Sequence, residues 1–551
     1  MKKSWRTTAI VLFLSTLVLS GLWGDQILAL SGETRTNLKL YTELLQVAHE
    51  GYGGDVEYRE LVYASIQGML RTLDPHTSFL SPEAYDRMRE RQQESFYGLG
   101  ILVSMRNGQL TIISPIEGSP AWQLGLRTGD VISSIEGEPT DKMSLEEAVS
   151  KLKGPKDTQV NITIARRGRS QPLEFAVTRD EIPQSTVRYA YMIEPGTGYI
   201  RLTDFSRSTS GEMAEAVAKL QGEGMERLLL DLRNNGGGLL DQVIAVGDLF
   251  VPQTSRIVET RGRTGDSDQT YFASGEAAPL DMPLVVLVND GTASAAEILA
   301  GAVQDHDVGL VAGTSTWGKG LVQTVYNLSY GSAVALTTAK YYTPSGRLIQ
   351  RDYSSYYDYY THFQNGGDGA GDLEAGEVET GEAELRGPEF STDLGRKVYS
   401  GGGIEPDVAI DLPNVPEEVA FLYEANAFFD FAIDYHREHK KEITESWRPG
   451  ETFAAELRSW VVRQEIDDGE RIDEVLANEE ARDFTLLQIH AEIFNAAFGQ
   501  EAAHRVRSVG DTQVQTALAL FGEAAELLDE RHRLESARVA ELGSTEKDNE
   551  N

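Results

Sequence analysis

Asn289-Asp290-Gly291-Thr292-Ala293-Ser294-Ala295-Ala296-Glu297, and further on Gly318-Lys319-Gly320-Leu321-Val322-Gln323, decide how this chain reads. The apolar run from Pro283 to Val288 has the length and Leu/Val content of a buried strand. Asn289-Asp290-Gly291 breaks it, and Ala295, Ile298, Leu299 and Ala302 then recur at helical spacing. Ser294 thus falls at a strand–turn–helix junction, where a hydroxyl can face unpaired N–H groups and the positive end of the helix dipole. A lone serine there is usually an N-cap. Lys319 sits between two glycines, which let the backbone pack closely around it. A lysine serves as a general base only when burial depresses its pKa, and a serine with such a lysine is an alternative to Ser–His–Asp. Spacing alone leaves the cap and the nucleophile both open. Rival bases are Lys340 and His306, the latter in a Ser–His arrangement.

Composition sets the frame. A chain of 551 residues is expected to form three or four domains. Its formal net charge of −36 argues against nucleic acid, or an anionic membrane surface, as a partner of the soluble part. With no cysteine there is no disulfide, thiolate metal site or cysteine nucleophile. Lys2, Lys3 and Arg6 precede an uncharged, mostly apolar run from Ala9 to Gly24. Residues 1–30 therefore read as a signal peptide or a membrane anchor. Leu19, Leu22 and Trp23 interrupt any small-x-small cleavage site, which favours the anchor. The expectation is an exported, periplasmic or otherwise extracytoplasmic protein held to the membrane by this segment.

Residues 36–92 carry helical patterns, with Leu73-Asp74-Pro75-His76-Thr77-Ser78-Phe79 as an intervening loop. His76 reads as a structural hydrogen-bonding residue. Residues 96–180 form a β-rich module: Gly98-Leu99-Gly100-Ile101 leads into a hairpin turning at Asn107-Gly108. Ser144 and Glu147 form a capping box before a helix, and Arg166-Arg167-Gly168-Arg169 turns a last hairpin. Residues 185–412 alternate strand and helix, with a Gly- and Glu-rich insertion at 364–389 expected to be exposed and flexible. Between a strand ending near Leu232 and the next helix lies Asn234-Asn235-Gly236-Gly237-Gly238, a turn that can expose N–H groups to an anion. Residues 413–540 are helical and acidic, with three apolar stripes, led by Leu422, Phe453 and Val514, that suit either an intrachain core or an oligomer surface. Residues 541–551 read as a disordered tail.

These motifs resemble the carboxyl-terminal processing peptidases, or tail-specific proteases, over roughly residues 38–412. In that family a Gly-Thr-Ala-Ser-Ala serine is followed by a Gly-Lys-Gly lysine and, four residues later, a glutamine, matching Ser294, Lys319 and Gln323. The Leu-Asp-Pro-His segment and the stretches Tyr341–Arg347 and Gly401–Asp407 resemble further family signatures. The module at 96–180 is similar to a PDZ domain. The resemblance implies a multidomain α/β protein: an N-terminal helical segment, a PDZ domain, a protease core of crotonase-like ββα type and a C-terminal helical extension. It implies a Ser294–Lys319 dyad with Gln323 orienting the lysine, and an oxyanion hole from the N–H groups of Gly237 (or Gly236) and Ala295. It also implies that Gly98, Leu99, Gly100 and Ile101 hold a substrate's terminal carboxylate, the peptide adding as a strand. No cofactor or metal is expected. Expected partners are substrate proteins engaged by their C-termini, with room for an activating partner and for a homo-oligomer through the C-terminal helices. Two rival functions share parts of this pattern: a PDZ scaffold or chaperone with an inactive protease core, and a crotonase-type acyl enzyme.

Overall fold

The computed structural model describes residues 32–92, 95–275, 279–352 and 387–549. The leader or anchor expected over 1–30 lies outside these residues, as do positions 364–386 of the expected insertion. The chain separates into two units, Met1–Pro82 with Thr324–Thr337, and Glu83–Gln323 with Thr338–Asn551.

In the first unit, α1 (Gly32–Gly51) and α2 (Tyr58–Leu70) are followed by the short strand β1 (Ser78–Leu80). The loop between them is an Asx-type turn. Asp74 Oδ1 accepts the N–H groups of His76 at 2.8 Å and Thr77 at 2.7 Å, and Thr77 Oγ1 donates to Oδ2 at 2.6 Å. β1 pairs antiparallel with residues 333–335.

The second unit opens with α3 (Pro82–Gln92) and the expected β-rich module: β2 (Ser95–Gly98), β3 (Ile101–Arg106), β4 (Gln109–Pro115), α4 (Pro120–Gln123), β5 (Val131–Ile135), β6 (Glu138–Pro139), α5 (Leu145–Leu152), β7 (Gln159–Ala165), β8 (Leu173–Thr178) and β9 (Asp180–Pro183). Its main sheet runs β3-β4-β5-β7-β8, and β2 pairs with β9. Asn107 and Gly108 both have positive φ, as a tight two-residue hairpin turn requires. Ser144 Oγ accepts the N–H of Glu147 at 3.1 Å, capping α5.

The α/β part follows as β10 (Val187–Glu194), β11 (Thr197–Leu202), α6 (Thr209–Gly222), β12 (Arg227–Asp231), α7 (Leu240–Gly247), β13 (Arg256–Gly262), β14 (Gln269–Phe272), β15 (Leu284–Val288), α8 (Ala295–Asp305), β16 (Leu310–Gly313), β17 (Leu321–Asn327), β18 (Ala333–Tyr342), β19 (Glu389–Ser391), β20 (Lys397–Tyr399) and β21 (Val408–Ala409). The central sheet has the order β10-β11-β12-β15-β16-β21, parallel except for β10. Being covered on both faces, β15 is Leu-Val-Val-Leu-Val and wholly buried. One face packs against α6, α7 and α8.

The C-terminal helices are α9 (Ala420–Glu424), α10 (Ala427–His439), α11 (Phe453–Arg463), α12 (Glu470–Ala477), α13 (Glu479–Phe498), α14 (Gln500–Gly510), α15 (Thr512–Ala519) and α16 (Phe521–Asn549). The stripes led by Leu422 and Phe453 meet each other in one core with Phe431 and Trp460. The third stripe, with Val514, Ala517 and Phe521, covers the second face of the central sheet against Tyr191, Tyr199, Val285 and Leu287. These stripe residues thus pack within the chain. Helix α16 is described as far as Asn549. Its Glu-, Lys- and Ala-containing sequence continues the preceding turns without a Pro.

Candidate active site

The route from β15 to α8 puts Ser294 in a backbone conformation that only the surroundings can hold. Its φ of 57° and ψ of −117° are unusual for a side-chain-bearing residue. Glu297, one turn into α8 and 0% exposed, supplies the restraint. Its Oε2 accepts the N–H of Ser294 at 2.8 Å and that of Lys319 at 2.9 Å. Its Oε1 accepts the N–H of Gly318 at 2.7 Å and the hydroxyl of Thr316 at 2.5 Å. Burial pushes this carboxyl's pKa up, and the four donors act in the opposite sense. On the carbonyl side, the Tyr341 hydroxyl bonds Ser294 O at 2.9 Å and also Lys319 O. The backbones of Ser294 and Lys319 are therefore clamped beside each other at both their N–H and C=O groups.

Lys319 precedes β17 rather than lying in it. A regular strand would hold residues 319 and 323 roughly 13 Å apart. Gly318, at φ 85°, turns the chain, and Lys319 Nζ donates to Gln323 Oε1 at 3.1 Å. A Cβ on Gly320 would stand 2.8 Å from the Gln350 nitrogen, so the second glycine permits close backbone approach.

The glycine turn lies directly against the serine. A Cβ on Gly237 would come within 2.8 Å of Ser294 Cβ and of the Ala295 nitrogen. Asn235 organises the turn: its Nδ2 donates to Leu202 O at 3.0 Å, its O accepts the N–H of Ala293 at 2.9 Å, and its Oδ1 accepts the N–H of Gly237 at 2.9 Å. Of the expected oxyanion donors, the Gly237 N–H is thus engaged here. The N–H groups of Gly236 and Ala295 meet no partner among the described residues. At the root of the turn, Asp231 is 0% exposed. It accepts from Tyr199 Oη at 2.7 Å, Arg201 Nη1 at 2.7 Å and Arg233 Nη2 at 2.7 Å. Burial alone would raise its pKa, but the charges of Arg233 and Arg201 outweigh it and hold the carboxyl at about 2.

The far end of α8 is fixed by the two other signature stretches. Fully buried Arg347 donates to Gln304 Oε1 at 2.6 Å and Asp305 Oδ1 at 2.8 Å. Asp407 accepts the N–H of Val311 at 2.8 Å and Gln304 Nε2 at 2.9 Å.

The rival bases have other occupations. His306 uses both ring nitrogens, with Asp393 Oδ2 at 2.8 Å and Arg256 O at 2.7 Å. Lys340 stands opposite Arg261 in the β13–β18 ladder. In the β-rich module, the carbonyls of Leu99 and Gly100 accept the N–H groups of Ala121 at 3.0 Å and Ile116 at 2.8 Å. Their own N–H groups meet no partner among the described residues. Gly98 closes β2 and Ile101 opens β3. Ile101, Val149 and the exposed Leu145 give β3 and α5 a partly open apolar lining.

Glu297 and Tyr341 carry roles that the sequence reading did not assign. The Ser-x-x-Glu spacing of a capping box was a usable signal for Glu297. Tyr341 opens the Tyr341–Arg347 stretch, but nothing local marks its hydroxyl for this role.

Residues 196–354 match Peptidase family S41, and residues 111–166 match the PDZ domain. A carboxy-terminal-processing protease of Bartonella bacilliformis is 40% identical over 296 residues, covering 53% of this chain and 68% of that protein. A carboxyl-terminal-processing protease of Synechocystis sp. is 44% identical over 301 residues, covering 53% of this chain and 69% of that protein. Among solved structures, a photosystem II D1 C-terminal processing protease aligns at 32% identity over 56% of this chain and 89% of that one, with a TM-score of 0.33. With its serine-bearing S41 core and its PDZ module, this chain belongs to the carboxyl-terminal-processing proteases of peptidase family S41, serine-type peptidases.

Proposed function

We propose that this protein is an exported endopeptidase that grips the C-terminal end of substrate proteins with its PDZ domain and cleaves them with a Ser294–Lys319 dyad, in processing or degradation of envelope proteins. The observation that carries the reading is the shared clamp of Glu297 and Tyr341, which brings the serine and lysine backbones together while Lys319 Nζ donates to Gln323 Oε1 at 3.1 Å. Neutral Lys319 takes the Ser294 proton as Oγ attacks the peptide carbonyl carbon. The oxyanion then accepts N–H groups from the glycine turn and Ala295. Losing one such donor typically costs about a hundredfold or more in rate. Lys319 returns the proton to the leaving amine; neutral again, it deprotonates the water that hydrolyses the acyl-enzyme ester and hands that proton back to Ser294 Oγ. Gln323 orients Nζ towards this work. Supporting the recognition half are the N–H groups of Leu99 and Gly100, which meet no partner among the described residues, beside the apolar lining of β3 and α5. The apolar run at 9–24 supports export and membrane attachment.

Casein digestion by purified protein tests the dyad. Ser294→Ala and Lys319→Ala are each expected to abolish cleavage with folding intact. Lys319→Arg is expected to be equally inactive, because a guanidinium stays protonated. Wild-type rates from Lys319→Ala would defeat the assignment.

A further inference from the structure

The glycine turn hangs from the end of β12, and its root is held from outside the family core. Arg233 folds back along Asp231, with Nε at 3.0 Å from Oδ1 and Nη2 at 2.7 Å from Oδ2. The outer edge of its guanidinium reaches the start of α15, in the C-terminal extension. There Nη2 lies 2.9 Å from Asp511 Oδ2, and Nη1 donates to Asp511 Oδ1 at 3.2 Å and Gln513 Oε1 at 3.0 Å. Gln513 is 1% exposed, and its Nε2 donates to Ile410 O at 3.0 Å, which fixes the amide's orientation. Arg201 completes the set: Nη1 binds Asp231, and Nη2 donates at 3.2 Å to the carbonyl of Arg233, the peptide that leads into Asn234. Two guanidinium groups thus face two carboxylates. Without Asp511, a buried arginine charge would lose half of its compensation.

We propose that Asp511 and Gln513 are positioning residues for peptide hydrolysis. Acting through Arg233, they hold the root of the 234–238 turn so that its N–H groups keep their place against Ser294. This inference rests on the reading of Ser294 as nucleophile and of the turn as oxyanion site. The turn is cross-bonded to the serine loop, with Asn234 N–H donating to Asn289 Oδ1 at 2.8 Å and Ala293 N–H to Asn235 O at 2.9 Å. A shift at Arg233 therefore reaches the donors, whose effect depends on a fit of a few tenths of an ångström. Asp511 and Gln513 in turn sit at the head of a helix packed on the central sheet through Val514 and Ala517, a rigid support.

The test is Asp511→Asn in the full chain, with steady-state cleavage of an unstructured peptide, thermal unfolding, and amide deuterium exchange over 234–238. Asn still caps α15, so the fold is expected to persist. The expected result is a kcat reduced tenfold or more, KM within twofold of wild type, and faster exchange in the turn. Asp511→Glu keeps a carboxylate facing Arg233 and is expected to retain most of the wild-type kcat. A kcat within twofold of wild type for Asp511→Asn, a change in KM alone, or a kcat loss in Asp511→Glu as large as in Asp511→Asn would overturn the proposal. Should Asp511→Asn fail to fold, Gln513→Leu leaves Asp511 in place, removes the Oε1 acceptor together with the Nε2 donor to Ile410 O, and is expected to lower kcat threefold or more, with an unchanged kcat counting against the proposal. Cleavage that survives Ser294→Ala would defeat the underlying site reading. Ser294-dependent cleavage that is indifferent to Asp511→Asn would defeat this inference alone.

Discussion

Glu297 shows how much of the site can rest on one side chain outside the bond-making chemistry. Its two oxygens accept four donors, two of them the backbone N–H groups of Ser294 and Lys319. Glu297→Gln keeps the shape but turns one acceptor into an N–H donor facing other donors. The expected cost in stability is about 1–3 kcal/mol, the penalty for buried polar groups left unmatched. The rate is expected to fall further than stability does, by roughly a hundredfold, because both members of the proposed dyad lose a common restraint. Urea midpoints and kcat measured on the same preparation check this. A variant that unfolds early yet turns over normally would show the carboxylate to be structural only.

At the scale of elements, the loop from β2 to β3 owes its shape to Gly100. Its φ of 75° is unfavourable for other residues, and a Cβ there would stand 2.2 Å from Ser119 Cβ. Gly100→Ala is therefore expected to displace α4 or the loop, and so to disturb the N–H groups of Leu99 and Gly100. If these groups read a terminal carboxylate, wild type should cleave a free-acid peptide several-fold faster than its C-terminal amide. Gly100→Ala should then treat the two alike. Paired kinetics on the two peptides measure it. Equal wild-type rates would remove chain-end reading from this loop, while leaving the proposed dyad untouched.

Across the whole molecule, the C-terminal helices bury ionisable groups whose titration opposes acid. Burial is the largest cause that lowers His490 and His504, each to about 4, with nearby Arg448 and Arg201 adding to it. Between about 6.5 and 4 the unfolded chain binds these protons and the folded chain does not. Their contribution is thus complete above pH 6.5 and lost as pH falls towards 4. The slope is at most on the order of 1.4 kcal/mol per pH unit for each. Asp231, held at about 2, adds a loss below the ordinary aspartate range. His306 runs the other way: burial, the largest single influence, lowers its pKa, but its bonds to Asp393 and the Arg256 carbonyl and the charges of Asp393 and Asp305 together raise it. Its contribution is present below 6.5 and fades as pH rises through the folded value. Urea unfolding at pH 7.5, 6, 5 and 4 is expected to give a steadily falling midpoint across the acid range. A flat profile would mean that the two histidines are solvated in solution.

The sequence by itself determined the elements and their order, because strand runs, helical spacing and turn residues are local. Asn107-Gly108 made its hairpin and Ser144 its cap through neighbours in the chain. The Ser294, Lys319 and Gln323 positions were legible as a motif for the same reason. Tertiary structure alone decided what holds them. Tyr341 joins Ser294 to Lys319 from a strand of another sheet, and Asp511 meets Arg233 across 278 residues of chain. It also decided which glycine N–H groups of the turn are engaged, since Asn235 Oδ1 could as well have faced solvent. The stripes of the C-terminal helices were equally suited to a partner or to the chain's own sheet. Only packing could choose, because an apolar face records that it must be buried and not against what.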